Sequence, residues 1–463
     1  MLHFSSKAQN QFCDGISRRD FLKAGALGLS GLSLADLLRL RAQAGGTPKP
    51  SRKSVIMICL AGAPSHLDMY DLKPDAPAEY RGEFRPIRTN VSGLDLCELM
   101  PLQAKIADKL ALVRNLRFDA RSFHELHEVC TGFSAVARRP AFGSVVSRLR
   151  SGDRSPLPRY VSPNLSDNIY LRLSGNGPDV SHAPEDPSYV GVAHQPFDPS
   201  GPGLENLTLA RGITLERLAD RRALLQAFDG LSRDLDRGAQ MSGMDPFTAR
   251  ALEIISSPAA RDAFDLSKEP TRVRDLYGPD VRNRFSYLPN WTWFSSKFLL
   301  ARRLVEAGVP VVTLAPGAWD HHGLITPQHR GNIFAQLREL LPWLDRSLYA
   351  LLTDLHARGL DQDVVVVVWG EFGRSPRINR YAGRDHWPAA GFALVAGGGL
   401  RMGQVIGATD ARGEKPNGRA YTPQNILATL YRFLGIDPAT TLPDHNGRPM
   451  HLLDDREPIS ELT

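Results

Sequence analysis

A three-layer α/β sandwich, with a mostly parallel central sheet between helices, is the fold class the sequence predicts. Three observations predict it. The first is a set of near-continuous apolar runs: "SVIMICLAG" from Ser54, "PVVTLAP" from Pro310, "DVVVVVWG" from Asp363 and "GFALVAGGG" from Gly391. Strands covered on both faces read this way, whereas half-exposed strands alternate. The second is the amphipathic stretches between or after these runs, such as "IFAQLRELLPWLDRSLYALLTDLHARG" and "TPQNILATLYRFLGI". Strands that alternate with helices give a parallel sheet with helical layers. The third is composition: 463 residues, 42% hydrophobic and 23% charged, suffice for one large core with insertions.

Taken in order, residues 1–44 form an address. "SRRDFLKAGALGLSGLSLA" sets Arg18-Arg19 before a short apolar run, and "AQA" at Ala42–Ala44 is a small-x-small cleavage site. This is the pattern of a twin-arginine signal peptide, and it implies the twin-arginine export machinery as a partner and the periplasm or cell envelope as the destination. The apolar run of about twelve residues is too short to span a bilayer, so no transmembrane helix is expected in the mature chain. Twin-arginine export carries folded proteins, often with a metal or cofactor already loaded. Residues 45–53, "GGTPKPSRK", read as a linker, and 54–463 as the working domain.

Within that domain, "PLQAKIADKLALVRNL" reads as a helix leading into a second short strand, and "SFHELHEVCTGF" as a helix closed by glycine. Residues 156–206 are rich in Pro, Gly, Ser and Asn, and 212 to about 308 are largely helical in pattern. The stretch 156–300 is therefore read as a loop-rich and helical insertion.

Charge excludes one class of function. The formal charge is +6, but residues 1–44 carry six Lys/Arg against three Asp, so the remainder carries +3. That is no footprint for nucleic acid. Outside the leader, Cys59, Cys97 and Cys130 have no CxxC spacing, which argues against a disulfide scaffold or a thiolate zinc site.

Polar residues collect just after the strands, where α/β sheets place their ligands. His66, Asp68 and Asp71 follow the first strand, and Asp320, His321 and His322 follow another. Glu371 and Arg374 follow the valine run, and Arg384, Asp385 and His386 come soon after. Carboxylate with imidazole is a ligand set for zinc, manganese or iron. A neighbouring indole (Trp319, Trp369, Trp387) adjoins three of the clusters. Ser122 and His124 open the helix that ends at Thr131-Gly132. There Ser122 is either a cap completed by Glu125 or a hydroxyl placed among free amides that suit an anion.

These residues resemble the alkaline phosphatase superfamily of phosphatases, sulfatases and phosphoglycerate mutases. In that superfamily a metal ligand follows the first strand, and a nucleophile opens a helix nine residues before Thr-Gly. An Asp with a nearby His follows a later strand, an acidic residue ends a very hydrophobic strand, and Gly-x-x-His comes after. Ser122, Asp320 with His322, Glu371, and Gly383–His386 match those positions. More closely, "GAPSHLDMYD", "PSYVGVAHQPF", "WDHHG", "GEFGRSP", "GRDHWP" and "GGGLRMGQVIGATD" resemble the secreted bacterial family called domain of unknown function 1501. The chain departs from the superfamily in three places. Ala61-Gly62 stands where an Asp is usual, Glu371 replaces an Asp-His pair, and the sulfatase Cys/Ser-x-Pro-x-Arg motif is absent.

The resemblance implies an alkaline-phosphatase-like fold and an exported metal-dependent hydrolase of phosphate or sulfate esters. Its expected ligands are His66, Asp68, Asp320, His322, Glu371 and His386. Ser122 is the expected nucleophile, His124 a proton-transfer partner or further ligand, and Arg374 and Arg384 the anion-binding groups. The metal is expected to be zinc first, with manganese, iron or calcium as alternatives, and the substrate an anionic ester such as one carried on a polysaccharide. The alternative is a non-catalytic envelope binding or assembly protein on a degraded sulfatase-like fold.

Overall fold

The computed structural model describes residues 53–119, 124, 126–151, 155, 157–163, 183–199, 220, 257–282, 292–324 and 331–463. Residues 1–44, expected to be a signal peptide, most of the expected linker and much of the 156–300 stretch lie outside the described residues, as does Ser122.

Seven strands form the central sheet: β1 (Ser54–Cys59), β2 (Leu110–Leu116), β3 (Tyr160–Val161), β4 (Val311–Leu314), β5 (Val364–Trp369), β6 (Gly391–Gly397) and β7 (Gln404–Ile406). Their order across the sheet is β7-β2-β6-β5-β1-β4-β3. The expected apolar runs are the central strands. Every residue of β1 and β5 is buried, and the two run parallel in register from Ser54↔Val364 to Cys59↔Trp369.

Alternate side chains on these strands enter two separate cores, as the period-two geometry of a strand requires. Ile56, Ile58, Val364, Val366 and Val368 face one core, where Phe298, Leu304, Leu337 and Leu341 meet them. Val55, Met57, Val365 and Val367 face the other, with Phe142, Val146, Ile426 and Leu430. Among the helices, α1 is His66–Met69, α2 His127–Thr131, α3 Phe142–Leu149, α4 Ser295–Glu306, α5 Ile333–Ala357 and α6 Pro423–Phe433. Helices α4 and α5 thus cover one face, and α3 and α6 the other. The three-layer expectation is met. No helix among the described residues is long and apolar enough to cross a membrane.

The structure differs from the sequence reading in several places. Strand β6 is antiparallel to both β2 and β5. The segment between β5 and β6 holds no helix; it folds as a two-strand ribbon, Gly373–Arg374 against His386–Trp387. A parallel neighbour needs a long crossover, usually helical, and without one the chain returns antiparallel. The "PLQAKIADKLALVRNL" segment has a four-residue α-helix, Pro101–Ala104, and a single 3-10 turn, Ala107–Lys109, because its apolar second half belongs to the seven-residue strand β2. Helix α2 is described only from His127, so His124 precedes it. Helix α4 begins inside the stretch read as an insertion but packs in the layer that covers the sheet.

The three buried cysteines, Cys59, Cys97 and Cys130, are free thiols. Helix α6 starts at a reciprocal cap between Thr422 and Asn425, with Pro423 at its first position.

Candidate metal centre

Strands β1, β4 and β5 lie side by side and parallel, so their carboxyl ends release three loops into one place. The β1 loop turns at Gly62, whose φ of +104° suits glycine. A Cβ there would stand 2.7 Å from the backbone nitrogens of both Trp319 and Asp320. The missing side chain lets the β1 and β4 loops touch, and Trp319 N donates to Ala61 O at 3.0 Å. The ribbon then brings His386 over the same spot, opposite Arg374.

Four side chains converge there: His124, Asp320, His322 and His386. A ligand atom from each lies within 4.8 Å of the others. Asp320 Oδ1 is the hub, 3.2 Å from His124 Nε2, 3.0 Å from His322 Nε2 and 3.7 Å from His386 Nε2. The Nε2 atoms of His322 and His386 are 2.9 Å apart. Four tetrahedral ligands on a zinc ion, each bonded at 2.0–2.1 Å, would stand roughly 3.3 Å from one another. Four of the six separations, from 2.9 to 3.7 Å, bracket that value and all six lie within 4.8 Å, an arrangement suited to a small divalent cation. All four side chains keep between 16% and 20% exposure, which leaves an approach from solvent.

Carboxylates hold two of the imidazoles from behind. His124 Nδ1 lies 2.8 Å from Glu371 Oε1, which also accepts from Gly62 N at 2.9 Å. His322 Nδ1 lies 3.2 Å from Asp385 Oδ1. A carboxylate behind a ligating histidine fixes the ring and raises its basicity. Burial alone would lower the pKa of His124, but its contacts with Asp320 and Glu371 outweigh burial and raise it to about 9. Burial opposes the ionised form of Asp320, yet Arg374 and the three histidines hold its pKa well below the usual carboxylate range. His321, beside them, is driven down to about 3 by burial and then by Arg374, so its ring stays neutral.

Residues 52–463 match the family described as "Protein of unknown function (DUF1501)". The chain belongs to that family. No curated protein matches it. Among solved structures it is similar to the PsFucS1 sulfatase from Pseudoalteromonas sp., with 10% identity, a TM-score of 0.35, and coverage of 89% of this chain and 72% of that one. It is also similar to the lipoteichoic acid synthase LtaP from Listeria monocytogenes, with 9% identity, a TM-score of 0.32, and coverage of 86% and 78%. A third is the phosphonate monoester hydrolase SpPMH from Silicibacter pomeroyi, with 11% identity, a TM-score of 0.34, and coverage of 84% and 74%.

Of the residues singled out in the sequence, the fold of this DUF1501 member gathers His124, Asp320, His322 and His386. Glu371 stands behind His124, outside the group of four. His66, Asp68, Arg374 and Arg384, also expected at the site, lie outside the group of four and are engaged by other partners. Asp68 is fully buried and pairs with Arg384, whose Nε lies 2.7 Å from Asp68 Oδ2. Ser65 Oγ donates to the same carboxylate. A buried carboxylate must find a cation or donors nearby, and Arg384 meets that need before any ligand can. His66 Nε2 is 2.9 Å from Gly413 O, so the loop after β7 holds that ring.

Neither arginine has a donor to offer an anion. The five N–H groups of Arg374 face the carbonyls of Gly62, Ala63, Trp319 and Arg384, together with Asp320 Oδ1 and His322 Nε2. Those of Arg384 face Asp68 and the carbonyls of Tyr80, Ser375 and Pro376. Five donors is the full capacity of a guanidinium. Both arginines tie loops together. The sequence signalled their position after a strand but held no signal of how completely they are engaged.

Proposed function

We propose that this protein is a metal-dependent hydrolase of phosphate or sulfate esters, with the metal held by His124, Asp320, His322 and His386. The observation that carries the reading is the set of ligand-to-ligand separations around Asp320 Oδ1, from 3.0 to 3.7 Å. A divalent cation, zinc foremost, would supply Lewis acidity toward an ester oxygen and a lowered pKa for an attacking water or hydroxyl. The substrate class rests on the motif resemblance. Arg374 keeps Asp320 anionic, and Glu371 and Asp385 turn His124 and His322 to present Nε2. Ser122, two residues before His124, is proposed as the nucleophile. Export by the twin-arginine route to the periplasm or cell envelope, and an ester carried on a polysaccharide, belong to the same proposal.

The test is turnover of aryl phosphate and aryl sulfate by protein loaded with zinc or manganese. The expected result is hydrolysis of one of them that chelation abolishes. Ser122→Ala should lower turnover by several orders of magnitude and leave metal content intact.

The complete engagement of Arg374 and Arg384 favours a second reading, a non-catalytic envelope binding or assembly protein that retains a structural metal. Bound metal with no turnover of either ester would select it.

A further inference from the structure

The segments 321–324 and 379–385 are laced together. Arg384 N donates to His321 O at 3.0 Å, and Leu324 N donates to Tyr381 O at 3.0 Å. Gly383 sits so close to the His322 and Gly323 backbone that a Cβ there would clash. At the centre of this lacing is Asn379, which no motif had singled out.

Both ends of its carboxamide are in use. Oδ1 accepts from Tyr381 N at 2.9 Å and from Gly383 N at 3.0 Å, which shapes the turn. Nδ2 donates to His322 O at 3.2 Å and to Asp385 Oδ1 at 3.0 Å. Asp385 Oδ1 is also the atom that meets His322 Nδ1. The Asp385 side chain is 61% exposed, so without a fixed donor its carboxylate would turn freely into water. Arg374 Nη1, always a donor, faces His322 Nε2 at 3.3 Å. Asp320 Oδ1 lies 3.0 Å from the same Nε2, on the side of the centre, while Nδ1 faces Asp385; a cation bound at Nε2 leaves the ring proton on Nδ1, toward that carboxylate.

We propose that Asn379 is a positioning residue for the metal centre, acting through Asp385 to fix the tautomer and orientation of His322. This rests on the reading of His322 as a ligand. The two ends of Asn379 separate its roles. Asn379→Asp keeps an oxygen for Tyr381 N and Gly383 N, so the turn survives. It replaces the donor with a second oxygen facing Asp385 and His322 O, so the clamp is lost.

The experiment measures zinc affinity by competition with a chromogenic chelator for wild type, Asn379→Asp, Asp385→Ala and the double variant. Nitrogen-15 imidazole NMR of the metal-free proteins accompanies it. Asn379→Asp should weaken zinc by about ten- to a hundredfold with unchanged circular dichroism, and the double variant should be no weaker than Asp385→Ala. In metal-free wild type, His322 should show an Nδ1–H signature that Asn379→Asp loses. Equal zinc affinity in wild type and Asn379→Asp, or additive losses in the double variant, would overturn the proposal. If wild type binds no zinc, the reading of the centre fails, and the imidazole spectra alone decide the role of Asn379. An unchanged His322 tautomer in Asn379→Asp then overturns it.

Discussion

His322 Nε2 and His386 Nε2 lie 2.9 Å apart, with Asp320 Oδ1 beside both. Two imidazole nitrogens at that distance share a proton or face a common cation. Arg374 keeps the carboxylate between them ionised, and on the proposed reading the three donors face one cation.

His386→Ala and Asp320→Ala should each therefore bind metal far more weakly than wild type. Outer partners of ligands already cost about 10- to 100-fold, and a lost ligand should cost more. Elemental analysis after dialysis checks this, and unchanged content in both variants rules out the centre as drawn.

Glu371→Gln separates an orienting role from a ligating one. Gln can still accept from Gly62 N but is a poorer acceptor for His124 Nδ1. Zinc affinity should fall by about ten- to a hundredfold, short of the loss in Asp320→Ala. A loss as large as in Asp320→Ala would make Glu371 a direct ligand.

Asp68→Ala should destabilise the protein by about 3–5 kcal/mol, because it leaves the Arg384 guanidinium buried without its counter-charge. Zinc affinity, measured on folded protein, should not change. Urea titration with parallel metal binding tests both halves, and a stable variant that has lost metal would return Asp68 to the centre.

Glu185 predicts a pH dependence away from the centre. Burial raises its pKa from 4.5 to about 7, although hydrogen bonds from the hydroxyls of Ser162 and Tyr160 pull it partway back. The folded state therefore keeps this proton where the unfolded chain has lost it. The contribution to stability is full below pH 4.5 and is lost as pH rises through about 7. The total is on the order of 3 kcal/mol. Relative to wild type, Glu185→Gln should flatten the stability curve between about pH 5 and about pH 8. Parallel slopes in urea titrations of the two proteins would show that Glu185 does not carry the effect.

Much of the fold was legible because burial leaves a local mark. The valine run from Val364 to Val368 had to be a covered strand, and β1 and β4 read the same way. The cap at Thr422 was not foreseen as a cap, but the helix after it was. Three of the four clustered residues, Asp320, His322 and His386, were legible as candidate ligands because each follows a strand or a tight turn. His124 was seen with its role left open.

By itself, then, the sequence determined where the apolar strands lie and which polar residues emerge beyond them. Both follow from side-chain hydrophobicity along a few consecutive residues. Only the tertiary structure decided what those polar residues touch. Asp68 meets Arg384 across 316 positions, and His124 meets Glu371 across 247. Loops so far apart in the chain are brought together because β1, β2 and β5, which they follow, lie in one sheet. Each buried charge there takes the partner that best offsets its desolvation. That choice depends on distances of a few ångströms between loops, for which the order of residues along one chain leaves no local trace.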